Sequence, residues 1–400
     1  MICKQLKNGS WECVADGPRD PVTNKRNQIR RRGRTQSIAK TRVTEEINRQ
    51  KEYGIDGKKV KKMTFEKTAW QWLSVYRRGK RKKGTVRIRE KEIKVLLRYI
   101  SKINIADVTP NMHQKILNDL DDKGYAKSTI EGVHTTAGMI YKYAIKEKLI
   151  KFNPAAGAVI PKKLLTVEEI ENTTIDDEYL EYNELEEFLS VTVKHGMEYD
   201  VERFYLLAFS GMRSGELCAL KWTDINFEKN EIRITKTLYN PNSNMKEYEI
   251  TPPKTPASIR TFEVDEEIME LLKVHKREQA KMFLRTAKDN QNRHNANFVF
   301  CRANGYPFIQ KNLQTRMARI LKKTTITKHA TPHIFRHTHI SMLAEAGVDL
   351  ATIMKRVGHD DADTTMRIYT HVTEKMKKDA TEKVSIHFGN ILKNANSKIM

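Results

Sequence analysis

The chain has 400 residues, 73 Lys/Arg against 50 Asp/Glu and a formal net charge of +23. That length suits two or three domains, and that charge suits a polyanion, nucleic acid before an anionic membrane surface. No apolar run approaches the length of a membrane span and the opening MICKQLKNGSWE lacks a signal-peptide core, so the expectation is a cytoplasmic protein without a membrane role. Cys3, Cys13, Cys218 and Cys301 show no paired C-x-x-C spacing and read as reduced thiols.

Residues 1–62 carry 17 Lys/Arg against 7 Asp/Glu. Trp11 to Val14 reads as a short strand, Gly17-Pro18 and Asp20-Pro21 as turns, the basic run Asn24 to Thr35 as a strand around Ile29, and Ile38 to Arg49 as a helix. The sheet-plus-helix reading competes with a disordered basic tail that adds only nonspecific affinity. Trp11 and the turn pairs favour the folded reading. Residues 53–62 look like a linker.

Four helices follow. Thr64 caps the first, with Phe65, Ala69, Trp70, Leu73 and Tyr76 on its stripe; a basic loop is expected over 77–94, where ten Lys/Arg meet two Glu. Ile93, Leu96, Leu97 and Ile100 mark the second helix. Thr109-Pro110 opens the third, with Met112, Ile116, Leu117 and Leu120. Ser128 opens the fourth, and Asn153-Pro154 ends the run. The interdomain connection is expected at 155–178.

Beyond it, Asn183 and Glu186 read as a cap and its reciprocal partner. A helix through Phe204 and Leu207 ends near Gly211 and leaves Arg213 on the next turn. Glu231 to Leu238, Lys246 to Thr251 and Arg260 to Val264 read as strands, with Lys254 in the loop between the last two; Asp265 caps a long helix. Thr331-Pro332 reads as a helix start that puts His333 and Arg336 on one face. A second helix spans about Asp349 to Val357, Gly358 ends it, and His359 follows; Asp363 or Thr364 caps a third helix that carries Tyr369.

HIFRHTH, then VGH, then IYTH, with S-G-M-R-S-G-E-L at 210–217 and P-K-T at 253–255, followed by Ser258 and Arg260, upstream, closely resembles the signature of the tyrosine recombinases, the phage integrase family. The resemblance is specific because the motifs occur jointly and in order over roughly residues 175–390. It implies a multidomain α+β fold: a small N-terminal sheet-plus-helix arm-binding domain with linker (1–62), a helical core-binding domain (63–160), and a mainly α catalytic domain with a small antiparallel sheet (161–400). It implies a site-specific recombinase that integrates and excises a mobile element through a covalent 3′-phosphotyrosyl intermediate and stepwise strand exchange. Its catalytic set falls on Arg213, Lys254, His333, Arg336, His359 and the nucleophile Tyr369; Lys236 is a weaker alternative to Lys254.

The partners implied are double-stranded DNA attachment sites and a homotetramer at synapsis, with the protein nucleoid-associated when bound. The family also admits an excisionase and a host DNA-bending protein, which the sequence does not identify. Lys25, Arg26, Arg30, Arg31, Arg32 and Arg34 on the N-terminal segment, and Arg77, Arg78, Lys80, Arg81, Lys82 and Lys83 on the helical block, are the candidate DNA contacts.

These residue types suit phosphoryl transfer. Two guanidiniums match the charge that gathers on the nonbridging oxygens. A phenol needs help losing its proton, His333 can take it, and Lys254 can protonate the leaving oxygen. A phosphotyrosine conserves the energy of the backbone bond, so no cofactor is expected and no metal is assigned. Two rivals remain at this level. A metallohydrolase could use His333, His337 and His339, with His371 nearby, as a zinc cluster, though His337 and His339 point to different helix faces and no H-E-x-x-H occurs. A DNA-binding regulator would share the charge but has no need of the six-residue set. Within the same fold, a type IB topoisomerase or a chromosome dimer resolvase is disfavoured by the basic N-terminal segment.

Overall fold

A computed structural model describes residues 1–19, 26–53, 63–79, 81–161, 178–253, 255–288, 293–358, 363 and 365–377. The chain divides into two compact units, residues 1–164 and 165–400.

The first unit opens with an antiparallel sheet of order β1 (Ile2–Gln5), β2 (Trp11–Asp16), β3 (Gln28–Gly33), followed by α1 (Gln36–Tyr53). Alternation along each strand gives the sheet two unlike faces. Cys13 and Ile29 pack on Ala39 and Val43 of α1, with Trp11, Ala15 and Ile47 around them. The opposite face carries Lys4, Glu12 and Arg32 side by side in register. Short apolar alternation flanked by turn residues thus folds this segment rather than leaving a basic tail.

The reading of four reduced thiols is corrected here. Cys3 and Cys13 face each other across the β1–β2 hairpin, with Cα atoms 4.1 Å apart, and are joined by a disulfide. Hairpin register brings them together, and a spacing search along the chain does not see register. Cys218 and Cys301 are free and buried, and burial pushes each thiol up to about 12.

Four helices complete this unit: α2 (Phe65–Arg78), α3 (Lys83–Ile100), α4 (Pro110–Asp122) and α5 (Lys127–Lys146). The Thr64 and Thr109 hydroxyls cap α2 and α4, as the sequence suggests, and Pro110 takes the first position of α4. The expected basic loop is short, because α3 already begins at Lys83. Lys and Arg are good helix formers, and Ile93, Leu96 and Ile100 supply the buried stripe. Trp72 rather than Trp70 enters the core, and His113 rather than Met112 faces inward.

His113 is fully buried, its Nε2 3.0 Å from His134 Nδ1, and burial pushes it down to about 4. The unfolded chain binds a proton below its ordinary 6.5 that the folded chain refuses until about 4. Stability is therefore complete above pH 6.5 and falls with pH through that window. Urea unfolding of wild type should lose ~2 kcal/mol from this group between pH 7 and pH 5. His113→Gln should show a visibly shallower acid slope; parallel pH profiles for the two proteins would disprove the assignment.

The second unit holds α6 (Tyr182–His195), α7 (Asp200–Ser210), α8 (Ser214–Ala219), α9 (Glu266–Arg285), α10 (Gln310–Leu321), α11 (Ile334–Glu345), α12 (Leu350–Val357) and α13 over residues 365–377. Its strands are β4 (Ile225–Asn226), β5 (Glu231–Ile234), β6 (Thr237–Tyr239), β7 (Glu249–Thr251) and β8 (Arg260–Glu263). They pair antiparallel as β4-β5-β8 and β6-β7. The single strand expected over 231–238 is thus two strands in two sheets. Phe188 meets Phe204 and Phe335 edge-on at 5.2 Å, and Phe204 and Phe335 lie tilted at 5.8 Å, in the helical core.

Two helix starts also shift. The capping box of α6 is made by Glu181 and Glu184, not Asn183 and Glu186. α11 begins at Ile334 behind a turn in which the Ile334 N–H donates to the Thr331 carbonyl, and His333 occupies the cap position. Asp265 caps α9 as expected, and Asp349, expected to begin α12, is its cap.

Candidate active site

Gly211 is the pivot of the site. It ends α7 with φ +62°, a conformation that favours glycine, and a Cβ there would lie 2.7 Å from His339 Cδ2. The chain leaves that turn through Arg213, the N-cap of α8. The Arg213 backbone N–H donates to Glu216 Oε2 at 3.0 Å and its guanidinium donates to Glu216 Oε1 at 2.9 Å. The same guanidinium reaches the Gly358 carbonyl at 3.2 Å and Ser258 Oγ at 3.4 Å. Its side chain is 34% exposed, so it retains an open side.

Arg336, on the first turn of α11, is fully buried and donates to the Gly211 carbonyl at 2.9 Å. Burial, then the Arg213 and Arg260 guanidiniums, lower its proton affinity. A guanidinium stays protonated under such pressure, so a permanent buried cation stands beside a half-open one. Glu216 is the counter-charge. Burial alone would raise its pKa, but Arg260 and Arg213 outweigh burial and hold it below the ordinary carboxylate value.

His333 sits at the head of α11, edge-on to His337 at 4.9 Å. Burial, then the charges of His337 and Arg336, push it down to about 4, so it is a neutral imidazole near pH 7. His337 Nδ1 lies 3.0 Å from the Glu178 carbonyl. His339 has one ring nitrogen 3.0 Å from the Ala208 carbonyl and the other accepting from Arg356 Nε at 3.0 Å, with its pKa pushed down to about 3 by burial. Both nitrogens of His339 are thus committed to the frame, which removes it from a three-histidine metal set.

Tyr369 lies on α13, its ring packed on a cluster of Ile340, Ala344, Ile353, Val357, Ile368 and Val372. That cluster joins α11, α12 and α13, so the helix bearing Tyr369 is docked on the helix bearing Arg336. Lys254 and His359 lie outside the described residues, as do Lys25 and Lys80. The segment that follows Lys254 and the residue before His359, Gly358, are described and adjacent. A Cβ on Gly358 would be 3.0 Å from the Ala257 carbonyl and 3.1 Å from Ser258 Cα. The segment after Lys254 therefore runs beside the turn before His359. Lys236, the weaker alternative, ion-pairs with Asp224.

The other candidate contacts divide by sheet face. Arg30 and Arg32 lie on the open face of the N-terminal sheet, 4.0 Å and 2.8 Å from Glu12. Arg31 points to the helix side and pairs with Glu46 at 2.8 Å. Arg26 pairs with Asp16 at 2.8 Å, and Arg34 is exposed. Arg77 pairs with Glu90 at 3.1 Å, Arg81 lies 5.3 Å from the centre of the Tyr76 ring, and Arg78, Lys82 and Lys83 are exposed around the α2–α3 turn.

The family model described as "Phage integrase family" matches residues 178–376, the part of the chain that holds this site. A probable integrase of prophage ps2 from Lactococcus lactis subsp. lactis (strain IL1403) is 32% identical over 392 residues, covering 94% of this chain and 97% of the relative. The chain belongs to the phage integrase family. Within that family of tyrosine recombinases it is a site-specific DNA recombinase of mobile elements. The ICEBs1 integrase of Bacillus subtilis (strain 168) is similar over 96% of this chain and 99% of its own length, at 23% identity. Among solved structures, the integrase of the Tn1549 transposon in complex with a circular intermediate DNA shares the fold, with a TM-score of 0.62 and 23% identity over 80% of this chain and 99% of that one.

In this member of the family the sequence motifs single out Arg213 and Arg336 as candidates but not the residues that hold them. Glu216 was expected to accompany Arg213; that Arg260 completes the pair from β8 was not. Arg356 and His339 were likewise missed as frame residues. The only sequence signal was the position of His339 within HIFRHTH and of Arg356 just before VGH, since a long-range hydrogen bond leaves no periodic trace.

Proposed function

We propose that this recombinase integrates and excises its element by direct attack of Tyr369 on a DNA phosphodiester. Arg213 and Arg336 hold the nonbridging oxygens, and their fixed forks stabilise the charge that grows as phosphorus becomes five-coordinate. His333, neutral at its post, takes a proton from the phenol or hydrogen-bonds the phosphate. Lys254 protonates the leaving 5′ oxygen, and His359 donates to the phosphate or orients Tyr369. The product is a 3′-phosphotyrosine and a free 5′ hydroxyl, and the reverse attack rejoins a strand without ATP. The single observation that carries this reading is the pair of guanidiniums fixed around the Gly211 turn, one buried and one half open, with the Tyr369 helix docked on the same α11.

The partner is double-stranded attachment-site DNA. Residues 1–62 form the arm-type DNA-binding domain and linker, 63–160 the core-binding domain and 161–400 the catalytic domain. Stepwise exchange takes place in a homotetramer, with an excisionase and a host bending protein as accessory factors. Nicked attachment-site DNA, incubated with the protein in EDTA without ATP, should give a protease-sensitive covalent adduct on a denaturing gel. A verified, bound site that yields no adduct would refute the catalytic reading in favour of a DNA-binding regulator.

For the N-terminal sheet, the open-face cations are the contacts to phosphate. Arg30→Ala with Arg32→Ala should weaken binding to whole attachment sites and reduce the slope of log affinity against log salt by roughly 2. Cleavage of short core DNA should stay at the wild-type rate. An unchanged salt slope would remove this face from the DNA interface.

A further inference from the structure

Arg260 is a buried cation that the roles above leave unused. It is 7% exposed and makes three hydrogen bonds in three directions. Its Nε donates to the Arg356 carbonyl at 2.8 Å, in the last turn of α12. One terminal nitrogen donates to Glu216 Oε2 at 2.9 Å, in α8. The other donates to the Ser258 carbonyl at 3.1 Å, in its own approach to β8. One planar fork therefore ties together three segments distant in sequence.

Each segment bears on the proposed chemistry. Glu216, held by Arg260 on one oxygen, holds Arg213 with the other. Ser258 Oγ reaches both Arg213 and the Gly358 carbonyl at 3.4 Å, and Thr255 Oγ1 lies 3.0 Å from Ser258 Oγ. Gly358 is itself pressed against this strand: at φ +70°, a Cβ on it would lie 3.1 Å from Arg260 Cδ. Arg356, whose carbonyl Arg260 holds, sends its side chain to His339 and to the Glu263 carbonyl. A buried ion pair is a costly way to gain stability alone, since desolvation offsets much of its attraction. Its use here is geometric, because a planar fork with fixed donors sets direction as well as distance.

We propose that Arg260 is a positioning residue for strand cleavage, orienting Arg213 through Glu216 and registering the Gly358 turn against the 255–258 segment through the Arg356 carbonyl. This rests on the reading that Arg213 binds the scissile phosphate. A lysine at the position keeps the charge that Glu216 needs but is a point donor that cannot span Glu216 and the Arg356 carbonyl together.

The test compares Arg260→Lys, Arg260→Gln and Arg213→Ala with wild type on nicked attachment-site DNA. It measures single-turnover cleavage rate, dissociation constant and melting temperature for each. Arg260→Lys should keep the wild-type affinity and lose only a few degrees of melting temperature for the bond it cannot make, while cleavage slows by about tenfold or more, and Arg260→Gln should be slower still. If both cleave within about twofold of wild type while Arg213→Ala is inactive, the positioning role is wrong and the site reading stands. If Arg213→Ala cleaves normally, the site reading itself falls, and the proposal with it. If cleavage, affinity and melting temperature fall together in Arg260→Lys, Arg260 is a structural ion-pair partner and the proposal is overturned.

Discussion

Tyr369→Phe should abolish the covalent adduct, with a loss of at least about 10⁴-fold in strand cleavage, because removing the proposed nucleophile leaves the proposed clamp nothing to act with. The same substitution should leave the fold untouched. The ring rests on the cluster formed by Ile340, Ile353, Val357 and Ile368, and phenylalanine fills the same space. Among the described residues the Tyr369 hydroxyl has no hydrogen-bond partner, so its removal strands no buried group, and the stability change should stay within about 0.5 kcal/mol. Affinity for attachment-site DNA should be retained, because the arginines proposed to bind the phosphate and the basic faces are unaltered. A denaturing gel for the adduct, a mobility shift for binding and a thermal melt separate these three expectations. An adduct formed by Tyr369→Phe at more than a trace would mean that another residue attacks, and the catalytic assignment would have to be rebuilt.

The parts of the fold that were legible in the sequence are those decided locally. Thr64, Thr109, Asp265 and Asp349 announce helix starts because a short polar side chain satisfies the first free N–H groups wherever the chain enters a helix. Gly211 and Gly358 announce helix ends because both take the left-handed conformation. What stayed hidden was decided by partners far along the chain. Trp70 and Trp72 sit two positions apart on one helix, and only the surfaces of α3 and α5 select Trp72 for the core. The run 231–238 is apolar enough for one strand, yet β5 pairs with β8 while β6 pairs with β7, and Thr235 and Lys236 fall between the two sheets. Cys3 and Cys13 read as unrelated thiols until hairpin register opposes them. The site divides the same way. The motifs marked Arg213, Arg336 and Tyr369 as candidates through order and spacing, and they contain Glu216 and Arg260 as well, but the bond between those two joins positions 44 residues apart and neither motif says that they meet.

Arg336 should show the opposite profile to Tyr369, losing catalysis and stability together. Its guanidinium is buried at the start of α11 and donates to the carbonyl of Gly211, the residue whose turn delivers Arg213. Arg336→Ala removes a donor from the proposed phosphate clamp and leaves that carbonyl without this bond, at a cost of ~1–3 kcal/mol before the cavity is counted. Arg336→Lys keeps a positive charge but lacks the fork that can serve Gly211 and a phosphate oxygen at once. Adduct formation should fall by about 10²- to 10³-fold in the lysine variant, as for loss of one preorganised donor. The melting temperature should drop further than in Arg213→Lys, whose side chain is 34% exposed and rests on Glu216 rather than on the core. The two lysine variants, compared for single-turnover cleavage and for thermal melting, distinguish the roles. If Arg336→Lys melts and cleaves as wild type does, the buried guanidinium is neither the anchor of the Gly211 turn nor a member of the clamp. If both variants lose cleavage and only Arg336→Lys loses stability, one arginine is built into the core and the other is held at its edge, which is the arrangement a phosphate needs for one fixed contact and one open approach.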